Sequence, residues 1–186
     1  MTIQHNLIAD PDIHEPKGVA TAASNSIYVA NGSGSGVWTD FVSYAGAYIT
    51  FDTVSPYNFT ATTSDAVVNP TLTAGPLQNF TIVSSPNARI QYDGTTNSDV
   101  DIVATFSTQQ ASGGSKDAEW ALFKNGVEIP GTRAIRSLST STYGSITLIG
   151  NVSMATNDYI EVYAKASGAC TIEFASLAIT LNGVLA

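Results

Sequence analysis

The chain is 186 residues long and carries 15 acidic against 7 basic residues, for a formal net charge of −8, with a single cysteine. That length holds one sizeable core plus an appendage. The scattered bases form no stripe that would neutralise phosphates, which argues against a nucleic-acid partner. Cys170 has no partner for an internal disulfide, and no apolar run nears the ~20 residues that cross a bilayer.

Residues 1–40 read as an extended arm and linker. Asp10-Pro11 and Glu15-Pro16 punctuate its first half, and Asn31-Gly-Ser-Gly-Ser-Gly36 follows. Pro and Gly at these spacings discourage a packed core, and Gly/Ser runs act as flexible linkers. Between them, Ser26-Ile-Tyr-Val-Ala30 has strand character, and Val37-Trp-Thr-Asp40 marks entry to a folded head over residues 41–186. Met1–Pro16 lacks a secretory leader pattern, so the chain is expected to be made in the cytosol, or assembled there into something larger.

Residues 41–79 are ambiguous. Ala47–Phe51 and Asn58–Thr60 are expected strands, whereas Ser64–Pro76, with two prolines, is expected to be a long surface loop or an edge segment. From Phe80 onward, alternation predicts strands near 80–84, 89–92, 99–107, 118–124, 127–129, 133–138, 145–153, 159–166 and 170–181. Gly, Pro, Asn and Asp punctuate them at the interval of a sandwich or barrel. Asn125-Gly126 fits a type I′ turn, and Thr156-Asn157-Asp158 is a second turn.

Period-2 alternation assigns faces. Ile160, Val162 and Ala164 should face the core, with Tyr159, Glu161, Tyr163 and Lys165 opposite. The tyrosines are candidates for a subunit interface or for exposed cross-strand pairs. The last strand alternates Ile172, Phe174, Ser176 and Ala178 against Glu173, Ala175, Leu177 and Ile179. Both sets are partly apolar, so one face is expected against the core and the other against a neighbour.

Nothing in the chain resembles catalytic machinery. His5 and His14 stand nine residues apart without further ligands, so no metal site is expected. No serine lies in Gly-x-Ser-x-Gly, and Cys170 has no evident base; it reads as a small buried hydrophobe. The i, i+2 pairs Asp10/Asp12, Asp99/Asp101 and Asp117/Glu119 read as solvated faces. No cofactor is expected. Charged residues make up only 12% of the chain, about half the usual share. A polar, uncharged surface of this kind suits intersubunit packing, because little ionic desolvation is needed.

The stretch Phe106-Ser-Thr…Ala111-Ser-Gly-Gly…Ala121-Leu-Phe-Lys-Asn-Gly-Val…Ile129-Pro-Gly…Arg136, then Ser145-Ile-Thr-Leu…Thr156-Asn-Asp-Tyr-Ile-Glu-Val and a long last strand, resembles the trimeric jelly rolls of the C1q and tumour-necrosis-factor type found in tailed-phage structural proteins. The leading segment Pro11-Asp-Ile-His-Glu-Pro-Lys-Gly-Val…Ile27-Tyr-Val-Ala-Asn-Gly-Ser-Gly-Ser-Gly-Val-Trp38 is similar to the N-terminal segments of phage head-fibre and capsid-decoration proteins.

The resemblance implies an all-β jelly-roll sandwich that forms a homotrimer on the outer surface of a virion, non-enzymatic and assembled in the host cytoplasm. The arm would dock on the major capsid protein through Ile13, His14, Glu15, Pro16, Ile27, Tyr28 and Val29. The trimer would close through Tyr159, Tyr163, Leu177 and Ile179. The alternative is a receptor-binding head of a tail fibre or spike that recognises a host surface glycan. A secreted carbohydrate-active enzyme is a third reading, without a supporting carboxylate pair. No nucleic acid and no membrane insertion are implied.

Overall fold

The computed structural model describes residues 26–30 and 36–185, and the chain divides after Phe41 into two units. In the first, β1 (Ser26–Ala30) and β2 (Gly36–Asp40) form an antiparallel pair with Tyr28 opposite Trp38. Their rings meet edge-on at 5.3 Å. The strand character of 26–30 is thus realised, and 37–40, expected to mark entry to the head, supplies its partner strand.

The second unit is built entirely of strands: β3 (Val42–Ile49), β4 (Tyr57–Ala61), β5 (Ala66–Val67), β6 (Thr73–Gln78), β7 (Phe80–Val83), β8 (Arg89–Tyr92), β9 (Ser98–Gln110), β10 (Lys116–Lys124), β11 (Val127–Glu128), β12 (Ala134–Leu138), β13 (Gly144–Met154), β14 (Tyr159–Ala166) and β15 (Cys170–Leu185). Eight principal strands set the topology. One sheet runs β3-β15-β9-β13, and the other runs β8-β14-β10-β12. Counted along the chain, the first strand lies beside the eighth, third and sixth, and the second beside the seventh, fourth and fifth. All pairings are antiparallel. This interleaved order is the jelly roll, and the head is therefore a jelly-roll β-sandwich.

Burial follows the pleat. Along β9, Val100, Ile102, Ala104 and Phe106 point inward while Asp99, Asp101, Val103 and Thr105 point out. Trp120 from the opposite sheet packs on Phe106 with ring centroids 5.5 Å apart. Ile160, Val162 and Ala164 lie in the core, and Cys170 packs against it half-buried. Each large side chain so enclosed contributes about 1.5–3 kcal/mol.

The β10–β11 hairpin turns at Asn125 and Gly126, both at positive φ (52° and 77°), as a type I′ turn requires. Asn125 is also stapled to β14: its Nδ2 donates to Asp158 Oδ1 at 2.6 Å, and its Oδ1 accepts from the Tyr159 amide at 3.0 Å. Lys124 Nζ lies 2.7 Å from the same Asp158 carboxylate. Partial burial pushes the Asp158 carboxyl up, but Lys124, the Ala155 amide and Asn125 together outweigh that and hold it below its usual range.

Two expectations are adjusted. Of the two readings of residues 64–76, a surface loop or an edge segment, the structure takes the second: they contain β5 and most of β6, which ends its sheet. Pro76 is accommodated because β6 is the edge strand of its sheet, and the Gly75-Pro76 pair bulges opposite Gly46; a residue with no N–H to donate is tolerated there.

The second correction concerns β15. Its register against β9 slips between Phe174 and Ser176, which leaves Ala175 as an extra residue. Before the bulge Ile172 and Phe174 are inward; after it Leu177, Ile179 and Leu181 are. At this point β15 also exchanges β4 for β3 as neighbour, and the Ala175 carbonyl accepts from the Asp52 amide at 2.9 Å. Leu177 and Ile179 are thus 2% and 4% exposed in the chain's own core, with no side-chain surface to offer a second copy.

Candidate interaction face

The outer face of the β3-β15-β9-β13 sheet is assembled rung by rung from cross-strand partners. One rung is Tyr48, Ala178, Thr105 and Thr147; the next Gly46, Thr180, Val103 and Ile149; then Tyr44, Asn182, Asp101 and Asn151; then Val42, Val184, Asp99 and Ser153. Apart from the half-buried Gly46, every one of these residues is exposed. Six are large and apolar: Val42, Tyr44, Tyr48, Val103, Ile149 (68% exposed) and Val184 (50%). The only charges are Asp99 and Asp101, on the last two rungs, and no base is present. Hydrogen bonds link the polar members: Thr105 Oγ1 lies 3.2 Å from Thr147 Oγ1, and Asn151 Nδ2 donates to the Asp101 carboxylate at 2.8 Å. A groove of 370 Å³ lies at the acidic end, between Tyr44, Val42, Val184 and the two aspartates.

The outer face of the other sheet has the opposite character. Arg133 gathers three carboxylates: Asp65 at 3.0 Å, Glu119 at 3.2 Å and Glu128 at 2.6 Å, while Lys165 reaches Glu119 at 3.2 Å. The Arg133 hydrogen bond holds the Glu128 carboxyl below its usual range, and Glu128 and Asp65 hold the guanidinium still further up.

These groups keep side-chain exposure, so Arg133→Met should cost about 1 kcal/mol in a urea melt at pH 7. Because the folded carboxyl is depressed, its contribution is complete above the unfolded Glu value of about 4.3. It fades as pH falls through the lower folded value. The difference between the variant and the native protein should therefore shrink on acidification below that point; a difference that grew would contradict the assignment.

Tyr159 and Tyr163 lie on this charged face, and both are engaged within the chain. Tyr163 stacks on Phe123, with centroids 3.9 Å apart and planes 19° apart. The Arg89 guanidinium sits 4.4 Å above the Tyr159 ring. Glu161 between them is buried, accepting from Asn87 Nδ2 at 3.3 Å. Of the residues proposed for arm docking, Ile27 and Val29 are exposed on one side of the β1–β2 hairpin while Tyr28 packs on Trp38. Ile13, His14, Glu15 and Pro16 lie outside the described residues, as do His5 and the Asp10/Asp12 pair.

Among the described residues, no group of three or more His, Cys, Asp or Glu side chains is placed to hold a metal ion. Nor is any helix among them long and apolar enough to cross a membrane. Sequence reasoning missed the neutral face because its members are spread over strands far apart in the chain. The available signal was β13: in the eleven residues from Gly144 to Met154, every outward position is uncharged.

No family model matches the chain, and no curated protein does. Among solved structures, the Eiger TNF of S. frugiperda aligns at TM-score 0.47 and 12% identity, covering 77% of this chain and 94% of that one. The PRD1 vertex protein P5 aligns at 0.44 and 10%, covering 78% and 99%. Murine APRIL aligns at 0.42 and 10%, covering 74% and 98%. At these scores the alignments carry no argument about function or assembly, and the jelly-roll assignment rests on the strand order described above.

Proposed function

We propose that this chain is a non-enzymatic structural protein of a phage virion, a homotrimer displayed on the outer capsid surface and anchored there by its leading segment. The observation that carries the reading is the asymmetry between the two outer faces of the sandwich. One is laced with ion pairs and closed aromatic contacts; the other is nearly uncharged and leaves six large apolar side chains exposed. An exposed apolar patch of that kind marks an interaction site, and little ionic desolvation opposes its burial.

The trimer contact accordingly moves from Tyr159 and Tyr163 to Val42, Tyr44, Tyr48, Val103, Ile149 and Val184. Three identical chains present three arms, so after one has docked, the rest dock intramolecularly and gain avidity. The capsid and virion assignment is supported by the resemblance of residues 11–38 and by the uncharged polar composition. Ile27 and Val29, exposed on the hairpin, join Ile13, His14, Glu15 and Pro16 as the anchoring set.

Removing residues 1–36 tests this. The truncated chain is expected to stay a soluble trimer and to stop co-sedimenting with capsids of its own phage. Co-sedimentation at the full copy number would overturn the anchoring role. Strong signals for the isolated head on a glycan array would instead favour the receptor-binding alternative.

A further inference from the structure

One end of the sandwich core contains polar atoms with nothing to bond. Thr108 Oγ1, Gln110 Oε1, Trp120 Nε1 and Arg136 Nη1 are all enclosed and unpartnered, and Thr108, Gln110 and Trp120 are each at most 1% exposed. Both sheets contribute. Thr108 and Gln110 succeed Phe106 on the inner face of β9, and Trp120 packs on Phe106 from β10. Arg136 pairs with Ala118 on β12, two residues from Trp120 on β10. Its guanidinium lies against Gly144, where any Cβ would overlap it, and Gly144 is the register partner of Thr108.

The orientation of the Gln110 amide is fixed, because its Nε2 donates to the carbonyls of Ser112 (2.6 Å) and Gly114 (3.0 Å). Its carbonyl oxygen is therefore the acceptor left over. Charge adds a second, independent indication. Among the described bases, Lys124, Arg133 and Lys165 have carboxylate partners and Arg89 lies over Tyr159. Arg136 has neither an ion pair nor a hydrogen bond among the described residues, in a chain with eight more acids than bases. Lys116, which precedes Ala118 and Trp120 on the same face of β10, has no ion pair either. A partly buried, unpaired cation is costly and calls for a counter-charge.

We propose that this end of the core is a binding site for a small oxyanion that carries a hydroxyl group, with hydrogen phosphate as the simplest member. Arg136 and the Trp120 N–H donate to its oxygens, and the Thr108 hydroxyl does so as well. Its own O–H donates to Gln110 Oε1, the contact that a fully deprotonated anion such as sulfate cannot make. The site does not depend on the virion reading, and it faces away from the proposed trimer surface.

The test is thermal unfolding and calorimetric titration of the whole chain with inorganic phosphate and with sulfate, at pH 7 and constant ionic strength. Phosphate should give a saturable calorimetric isotherm and should raise Tm with the logarithm of its concentration above Kd, by about 5–10 °C at a hundredfold excess. Sulfate should bind at least about tenfold more weakly, because it leaves the Gln110 acceptor unpaired. Arg136→Met should abolish the phosphate response. Thr108→Val, which keeps the side-chain shape and removes one donor, should weaken the phosphate response without lowering Tm in phosphate-free buffer, because the hydroxyl it removes is buried and unpartnered. If Arg136→Met does not fold, the Thr108→Val pair of readouts decides alone, and an undiminished phosphate response in it would overturn the proposal. Equal responses to phosphate and sulfate, meaning an adventitious ion only, would overturn the proposal. So would no response to phosphate, or a single water at the site in a high-resolution structure grown in phosphate.

Discussion

Leu177→Asp is expected to leave the head unfolded, while Ala178→Asp leaves it folded. The two positions are adjacent, and simple alternation from Ile172 places Ala178, not Leu177, on the core side. The bulge at Ala175 reverses that phase, so that Leu177 is enclosed and Ala178 exposed. Removing a buried leucine side chain costs about 2–5 kcal/mol, and an unpaired carboxylate in its place adds several more. Together these rival the whole stability of an ordinary domain, about 5–15 kcal/mol. Far-UV circular dichroism and a urea melt of the two variants read the result. An unfolded Ala178→Asp beside a folded Leu177→Asp would place the bulge, and with it the whole second half of β15, in the wrong phase.

The second large effect concerns assembly. Val103→Lys combined with Ile149→Lys places two ammonium groups on one rung of the neutral face, where both native side chains are exposed. In the single chain they stay solvated, and the melting profile of the isolated subunit should change by no more than about 0.5 kcal/mol per site. In an assembled trimer each would be desolvated at several kcal/mol per ion, enough to give monomers at micromolar concentration. Tyr163→Ala is the control, since its ring stacks on Phe123 within one chain. It should cost stability by about 0.5–1.5 kcal/mol beyond the lost burial and leave the oligomeric state unchanged. A Tyr163→Ala monomer beside an intact double-lysine trimer would return the contact to the charged face.

Much of the sandwich was legible because two-sided strands announce themselves. β8 and β14 fall where alternation puts them, and the Asn-Gly turn is at positive φ as its chemistry demands. The bulge was not legible. Ser176 and Ala178 are small and Ala175 is apolar, so the residues on both sides of the slip satisfy either phase, and only the β9 partner shows which one is used. Pro76 leaves 64–76 open between a surface loop and an edge segment, and only the place of β6 at the end of its sheet decides between them. Tyr159 and Tyr163 looked unfinished from their own strand alone; their partners Arg89 and Phe123 come from β8 and β10. The polar cluster was hidden for the same reason, as Arg136 meets Thr108 only through Gly144.

Native mass measurement of the unmodified chain at micromolar concentration tests the account most directly. Burial of the β3-β15-β9-β13 face between copies predicts a particle of three times the 19.4 kDa protomer. A monodisperse 19.4 kDa species would contradict it.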